Sequence, residues 1–376
     1  MKSTATLTRE LIKKSWLLFD YFLWLLFDLS KLRKIKKDKI RKVLIVHLGA
    51  IGELLITTPI LPVLKKELNC EITYMLNRGM EAIFENNPYI SNILIYNQDF
   101  KENISDLKKG NFDLAIIISP GSIKLSLRCF LAGIKYRIGG FGGFKRGPSF
   151  FFTRKTFPIN HKHTIEKNLD IIRQIGIDNK NPKMEIYLSE QEKQKTKEIT
   201  SKLKVKDYII VHPGFGSVMG NKYPSRLWPL ERYAQVIDYL IEKYNMNVIL
   251  TGNEEETIIS EKIIRLTKNR KEVIDCCGKF TLREFMALID SAKLVIESST
   301  GVVHIACALK TPVIDFIGRG DLSEWQPWGD KNKTKFLFHN EVCTSCNMAE
   351  CRKKTTECLK AITVNEVINT ADELLK

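Results

Sequence analysis

Residues 42–55 read KVLIVHLGAIGELL: a β-branched apolar run, a glycine-punctuated turn over Gly49–Gly52, and the opening of a helix. A strand that is apolar on both faces has to be covered on both faces, which points to a parallel sheet with helices packed on either side. Downstream, ELLITTPILPVLKKEL (53–68) reads as a helix, and Glu71–Leu76, Asn92–Tyr96 and Phe112–Ser119 read as further strands with helical patterns between them. The opening then recurs. Asp207–Gly214, DYIIVHPG, repeats the strand, the Val-His ending, one residue and a glycine. After it the pattern predicts helix Leu230–Tyr244, strand Met246–Thr251, helix Glu254–Thr267, strand Glu272–Asp275, helix Leu282–Ser291, and strands Lys293–Glu297 and Pro312–Ile317. The chain therefore reads as α/β, with two Rossmann-like domains joined through the polar, charged stretch around residues 181–206. Ligands of such sheets bind beyond the carboxyl ends of the strands, so two facing domains are expected to enclose one central cleft. The expected boundaries are 42–185 and 186–376.

A length of 376 residues suits two domains, and 44% hydrophobic residues exclude disorder, collagen-like repeats and a disulfide scaffold. No run reaches the roughly 18–20 apolar residues of a spanning helix, which excludes a polytopic membrane protein. The net charge of +16 calls for an anionic partner: lipid headgroups, nucleic acid or a phosphorylated substrate. The charge is concentrated at one end. WLLFDYFLWLLFDL (16–29) lacks a small-residue cleavage site and runs into KLRKIKKDKIRK (31–42), which has eight basic residues and one acidic. An apolar helix followed by such a cluster fits residues 1–41 lying in an anionic membrane interface; a helix packed on the protein's own body is the alternative. The absence of RNA-binding or zinc-finger patterns argues against a nucleic-acid partner.

The other end carries Cys343, Cys346, Cys351 and Cys358, spaced C-x2-C-x4-C-x6-C. Four thiolates so close together can hold a structural zinc, and disulfides or reduced structural thiols are the alternatives. Neither G-x-G-x-x-G nor G-x-x-x-x-G-K-[ST] is present, which weakens nicotinamide-dependent and Walker-type chemistry.

Three segments, in order, resemble glycosyltransferase family 9, the bacterial ADP-heptose:lipopolysaccharide heptosyltransferases. They are His47-Leu-Gly-Ala-Ile-Gly-Glu53, then His212-Pro-Gly followed by Arg226-Leu-Trp-Pro-Leu-Glu-Arg-Tyr233, and Ser299-Thr300-Gly301-Val-Val-His304 running on to Thr311-Pro312. His163-Thr-Ile-Glu-Lys-Asn-Leu169 and the cysteine run also resemble family segments. The resemblance implies a GT-B fold, an acceptor domain followed by a nucleotide-sugar domain, and inversion at the anomeric carbon. It implies ADP-heptose as donor, a lipid-linked lipopolysaccharide-core acceptor, no cofactor, and a cytoplasmic protein held on the inner face of the membrane. Another nucleotide sugar for a different surface glycan, or a non-catalytic assembly role, remains as an alternative.

The residues themselves carry a chemical argument. Glycosyl transfer requires the acceptor hydroxyl to lose a proton, so a carboxylate belongs at the cleft. Glu53 stands where the family has an Asp base, beside Gly49 and Gly52. Its alternative is a carboxylate stabilised by the helix N-terminus. Arg226 replaces the family lysine that contacts the diphosphate, keeps the charge and can bind two phosphate oxygens; Lys222 competes for that place. The Thr300–Gly301 turn opens a helix whose backbone N–H groups can hold phosphate, and His304 can donate to the same group or simply pack on the sheet. Ser299 stands where the family has Asp. Glu255 or Glu256 can accept from ribose hydroxyls, or serve the first turn of its helix. His163 is assigned to the acceptor side. Without an Asp-x-Asp motif, charge neutralisation is expected from Arg, Lys and helix termini rather than a metal.

Overall fold

The computed structural model describes residues 35–118, 123–140, 150–156, 161–214, 226–318, 322–339, 341–342, 351 and 355–376, together with 15, 18, 19, 22 and 24. In chain order the elements are β1 (Lys42–Val46), α1 (Ile51–Leu55), α2 (Leu61–Leu68), β2 (Glu71–Leu76), β3 (Asn92–Ile95), α3 (Phe100–Gly110), β4 (Leu114–Ile117), α4 (Ile123–Leu131), β5 (Tyr136–Gly140), β6 (Arg154–Thr156) and α5 (Thr164–Arg173). They continue with α6 (Glu190–Lys202), β7 (Tyr208–His212), α7 (Leu230–Tyr244), β8 (Asn247–Leu250), α8 (Thr257–Leu266), β9 (Val273–Asp275), α9 (Leu282–Ser291), β10 (Leu294–Glu297), α10 (Gly301–Leu309) and β11 (Val313–Ile317). The last are α11 (Leu322–Trp325), β12 (Thr334–Phe338), α12 (Glu357–Ala361) and α13 (Val364–Leu374).

These strands make two six-stranded sheets, ordered β3-β2-β1-β4-β5-β6 and β12-β11-β10-β7-β8-β9, with every recorded pairing parallel. Read from its own first strand, each sheet has the doubly wound order 3-2-1-4-5-6. The expected α/β reading with two Rossmann-like halves is therefore met, and the repeated Val-His strands, β1 and β7, occupy equivalent central places. Each unit has its own core. Leu44, Val46, Ala115, Ile117, Cys129 and Phe152 pack together in the first, and Trp228, Tyr233, Ile237, Leu250, Ile296 and Phe316 in the second.

The helix expected over 53–68 is interrupted. Pro59 and Pro62 cannot supply backbone N–H donors within it, so α1 ends at Leu55, a 3-10 turn spans Thr58–Ile60, and α2 starts at Leu61. By its contacts the chain divides into Met1–Ala50, Thr57–Glu81 and Asn87–Pro182 on one hand, and Ile51–Ile56, Ala82–Asn86 and Lys183–Lys376 on the other. The short helix α1 is thus part of the second unit although it follows a strand of the first.

Within the second unit Arg283, at the start of α9, ties the polar connecting stretch down. Its guanidinium donates to both carboxylate oxygens of Glu192 (2.5 and 2.8 Å), to the Tyr187 carbonyl (2.7 Å) and to the Ala82 carbonyl (3.1 Å). The Arg283 hydrogen bond, aided by the Ser189 backbone N–H, holds the Glu192 carboxyl down at about 2. Removing the cation leaves the half-buried Glu192 carboxylate with only its Ser189 and Asn86 hydrogen bonds, so Arg283→Ala is expected to lose about 2 kcal/mol in urea unfolding. Because the folded value is depressed, this contribution is complete above the ordinary glutamate range and is lost as pH falls toward 2. An acid titration of unfolding in which Glu192→Gln is as acid-sensitive as wild type would contradict that assignment.

Among the described residues no helix is long and apolar enough to cross a membrane. Residues 15, 18, 19, 22 and 24 are helical, as the reading of 16–29 expects; most of that stretch lies outside the described residues. Trp24 is buried, donates from its indole to the Phe152 carbonyl (2.7 Å) and lies beneath the Lys155 ammonium, which docks this side of the helix on the first unit. Leu18, Phe19 and Phe22 fall on another side and are 71%, 50% and 59% exposed.

Candidate functional site

In the second sheet the order reverses between β7 and β10, the place where doubly wound sheets bind ligands. Two loops leave the carboxyl ends there: Pro213–Gly214 after β7 and Ser298–Thr300 after β10. The second runs into α10. Thr300 is its N-cap, with Oγ1 accepting from the Val302 N–H (3.1 Å), so the turn is set to present the remaining first-turn N–H groups. Ser299 has φ of +53°, a left-handed conformation that a non-glycine residue keeps only under external constraint. Arg226 supplies part of that constraint. Its Nη1 donates to the Ser299 carbonyl (2.9 Å), and the Ser298 hydroxyl donates back to the Arg226 carbonyl. Behind it Trp228 is fully buried, its indole N–H on the Ile362 carbonyl (3.1 Å) and its ring against Tyr233 and Phe316. Arg226, Ser299, Thr300, Gly301 and His304, selected from sequence, thus converge on one turn.

Glu53 joins them through a glycine contact. A Cβ on Gly52 would sit 2.6 Å from His304 Cδ2 and 3.4 Å from Gly301 Cα, and one on Gly301 would sit 3.3 Å from the Gly52 nitrogen. Both positions lack a side chain because α1 and α10 lie backbone against backbone. His304 is buried at this crossing, and Glu53, the next residue of α1, is exposed. A carboxylate, an imidazole and a helix N-terminus are therefore assembled in one unit, with a guanidinium beside the turn. That set can take a proton from a hydroxyl and stabilise a departing phosphate.

Other candidates have more local tasks. Glu256 is buried; its Oε2 accepts from the Asn253 N–H (2.8 Å), and its carboxylate occupies the space a Cβ on Gly214 would need. Glu255, beside it, is exposed. His212 is buried against Phe285 and paired with the Thr251 hydroxyl (3.1 Å); burial pushes its imidazole down to about 4, opposed by the nearby Glu256 charge, so it is neutral at pH 7. His163, in the first unit, is the N-cap of α5, with Nδ1 accepting from the Ile165 N–H (3.2 Å). Gly49 lies in the half-buried loop after β1, next to Leu48, whose carbonyl accepts from the Asn77 amide (2.9 Å).

Lys222, Cys343 and Cys346 lie outside the described residues. Cys351 and Cys358 are buried, and Cys351 Sγ accepts from the Thr356 N–H (3.3 Å). Among the described residues no group of three or more His, Cys, Asp or Glu side chains is placed to hold a metal ion.

The sequence reading passed over Glu297 and Asp315. Both are buried under the Ser299–Thr300 turn, at the end of β10 and the middle of β11. A signal was visible: each is an acid in an otherwise apolar run, LVIE and VIDFI.

Residues 102–357 match the family model of glycosyltransferase family 9 (heptosyltransferase). The chain is 28% identical over 294 residues to lipopolysaccharide heptosyltransferase 3 of Escherichia coli K12, covering 74% of this chain and 82% of that protein. Its fold is similar to that of a family 9 glycosyltransferase from Veillonella parvula (TM-score 0.75, 21% identity, 91% of this chain and 99% of that one). It is also similar to E. coli ADP-heptose lipopolysaccharide heptosyltransferase II (TM-score 0.72, 18% identity, 89% and 98%).

Proposed function

The chain belongs to glycosyltransferase family 9, and we propose that it transfers heptose from ADP-heptose to a hydroxyl of a lipopolysaccharide-core acceptor, with inversion. The observation that supports this reading is the α1–α10 crossing, in which Gly52, the neighbour of Glu53, packs against the first turn of α10. Glu53 takes the acceptor proton as the acceptor oxygen forms its bond to the anomeric carbon. The bond from that carbon to the β-phosphate oxygen breaks with its electron pair, and ADP leaves. Charge growing on the diphosphate meets the Arg226 guanidinium, an N–H of the His304 ring and the N–H groups of the α10 first turn. In this scheme Glu255, exposed in the turn that follows β8, accepts from the ribose. Gly49, Gly52 and His163 belong to the acceptor side of this scheme. Residues 42–185 then serve the acceptor and residues 186–376 the donor.

Assaying the purified chain with a core acceptor against ADP-heptose and other nucleotide sugars tests the reading. Turnover only with ADP-heptose supports it, and turnover only with another nucleotide sugar replaces the donor. No turnover with any of them favours a non-catalytic role.

A lipid-linked acceptor is presented at a membrane surface, and the proposed location is the cytoplasmic face of the inner membrane. Leu18, Phe19 and Phe22 are exposed on a helix docked through Trp24, with eight basic residues following at 31–42. Together they supply apolar insertion and attraction to anionic lipid. Replacing the three by Ser is expected to weaken sedimentation with phosphatidylglycerol vesicles by about tenfold or more while sparing activity on a delipidated acceptor. Unchanged sedimentation would rule this surface out.

A further inference from the structure

We propose that Glu297 and Asp315 act as one singly protonated acid pair that sets the Ser299–Thr300 turn, and through it how tightly the first turn of α10 holds a nucleoside diphosphate. The ligand half of the proposal rests on the functional reading above; the acid pair stands on its own geometry.

The two residues are register partners on neighbouring parallel strands, β10 and β11, and their exposures are 0% and 2%. Both accept from the same Ser299 N–H, so the two carboxyl groups lie side by side in a buried space, where one shared proton avoids a second negative charge. Both Glu297 oxygens and one Asp315 oxygen are aimed at the turn. The Ser299 N–H donates to Glu297 Oε1 (3.1 Å) and to Asp315 Oδ1 (2.8 Å). The Thr300 N–H and hydroxyl both donate to Glu297 Oε2 (2.7 and 2.8 Å). These bonds hold Ser299 at its positive φ and point Thr300 Oγ1 at the helix it caps. The pair is therefore a positioning device: it touches the turn, and the turn meets the ligand.

Among the described residues, the other titratable or charged groups facing it are Arg226, ahead of α7, Tyr233 on α7 and Cys307 on α10. Arg226 offsets one negative charge on Asp315, and Tyr233 and Cys307 are held neutral by burial, so among the described residues a second negative charge has no further cation facing it. Burial, and then the neighbouring acid, push Glu297 well above the ordinary glutamate range. Ionising it would place two like charges in contact beneath a site for an anion. Because the folded value is raised, stability and anion binding are both greatest at low pH and decline as pH rises through that value.

The test measures ADP binding by calorimetry and urea unfolding, both from pH 6 to pH 9, for wild type, Glu297→Gln and Glu297→Leu. Gln cannot ionise; its carbonyl oxygen can keep the Thr300 bonds while its amide takes the place of Oε1 beside Asp315. Wild-type stability is expected to fall as pH rises toward the folded value of the pair, and ADP affinity to fall by up to about tenfold per pH unit above it. Glu297→Gln is expected to flatten both profiles, and Glu297→Leu, lacking every acceptor, to bind ADP about tenfold or more weakly at each pH. Matching profiles for wild type and Glu297→Gln, or wild-type ADP affinity in Glu297→Leu, would overturn the proposal. Failure of the wild type to bind ADP at any pH would overturn the functional reading and the ligand half with it. The unfolding comparison would still decide whether the acid pair shares a proton.

Discussion

Glu53→Gln is expected to lower kcat for sugar transfer by about a thousandfold while leaving ADP affinity within about twofold, because general-base removal affects the proton-transfer step and not donor binding. Gln has almost the same shape as Glu and keeps the packing of α1, but it cannot accept the acceptor proton. The residue sits on the first turn of a helix, and its neighbour Gly52 is in contact with α10, so the carboxylate is carried by a rigid contact and not by a free loop. Single-turnover measurements with bound ADP-heptose isolate the step. If Glu53→Gln transferred heptose at near-normal rate, the carboxylate would be a helix-terminal charge and the base would have to be sought elsewhere.

The second large effect is expected from Gly52→Val. Even the first carbon of a side chain here would lie 2.6 Å from the His304 ring and 3.4 Å from Gly301 Cα, closer to the ring than packed atoms come. Either α1 lifts off α10 or the imidazole is driven from its place, and both separate the carboxylate from the diphosphate cradle. Misplacing reacting groups by about 1 Å can cost about a hundredfold in rate, so kcat is expected to drop by at least about that factor. Core burial elsewhere in the second unit is untouched, so the urea midpoint should fall modestly compared with the rate. A variant with wild-type kcat would show that the α1–α10 approach has no part in catalysis.

Much of this was readable in the sequence because central parallel strands are apolar throughout. The repeated Val-His strands β1 and β7 gave both sheets their centres, and helices α7 and α9 fell at Leu230–Tyr244 and Leu282–Ser291 as the apolar spacing predicts. The strands that escaped were β5, β6 and β12. YRIGG, RKT and TKFLF carry Arg, Lys, Thr or paired glycines, and β6 and β12 are edge strands with a single partner. Arg137 in β5 looks solvent-bound in sequence. It is buried because the nearby Ile134 and Lys135 carbonyls and the Phe151 carbonyl, fourteen residues on, satisfy its guanidinium.

The site was legible in the same uneven way. Arg226, Thr300, Gly301 and His304 sit in recognisable motifs and come together in the fold. The reason Gly52 and Gly301 are glycines lies in each other and in His304, and is visible only once α1 and α10 touch. Glu297 and Asp315 belong to no motif considered from sequence, yet they hold the turn on which the others depend.

A diffraction structure of the chain with ADP bound tests the central claim most directly. The account predicts the β-phosphate seated on the first-turn N–H groups of α10, with the Arg226 guanidinium turned to it and Glu53 bordering the space where the sugar would continue. ADP bound away from the Thr300–Gly301 turn, with Arg226 still committed to the Ser299 carbonyl, would contradict it.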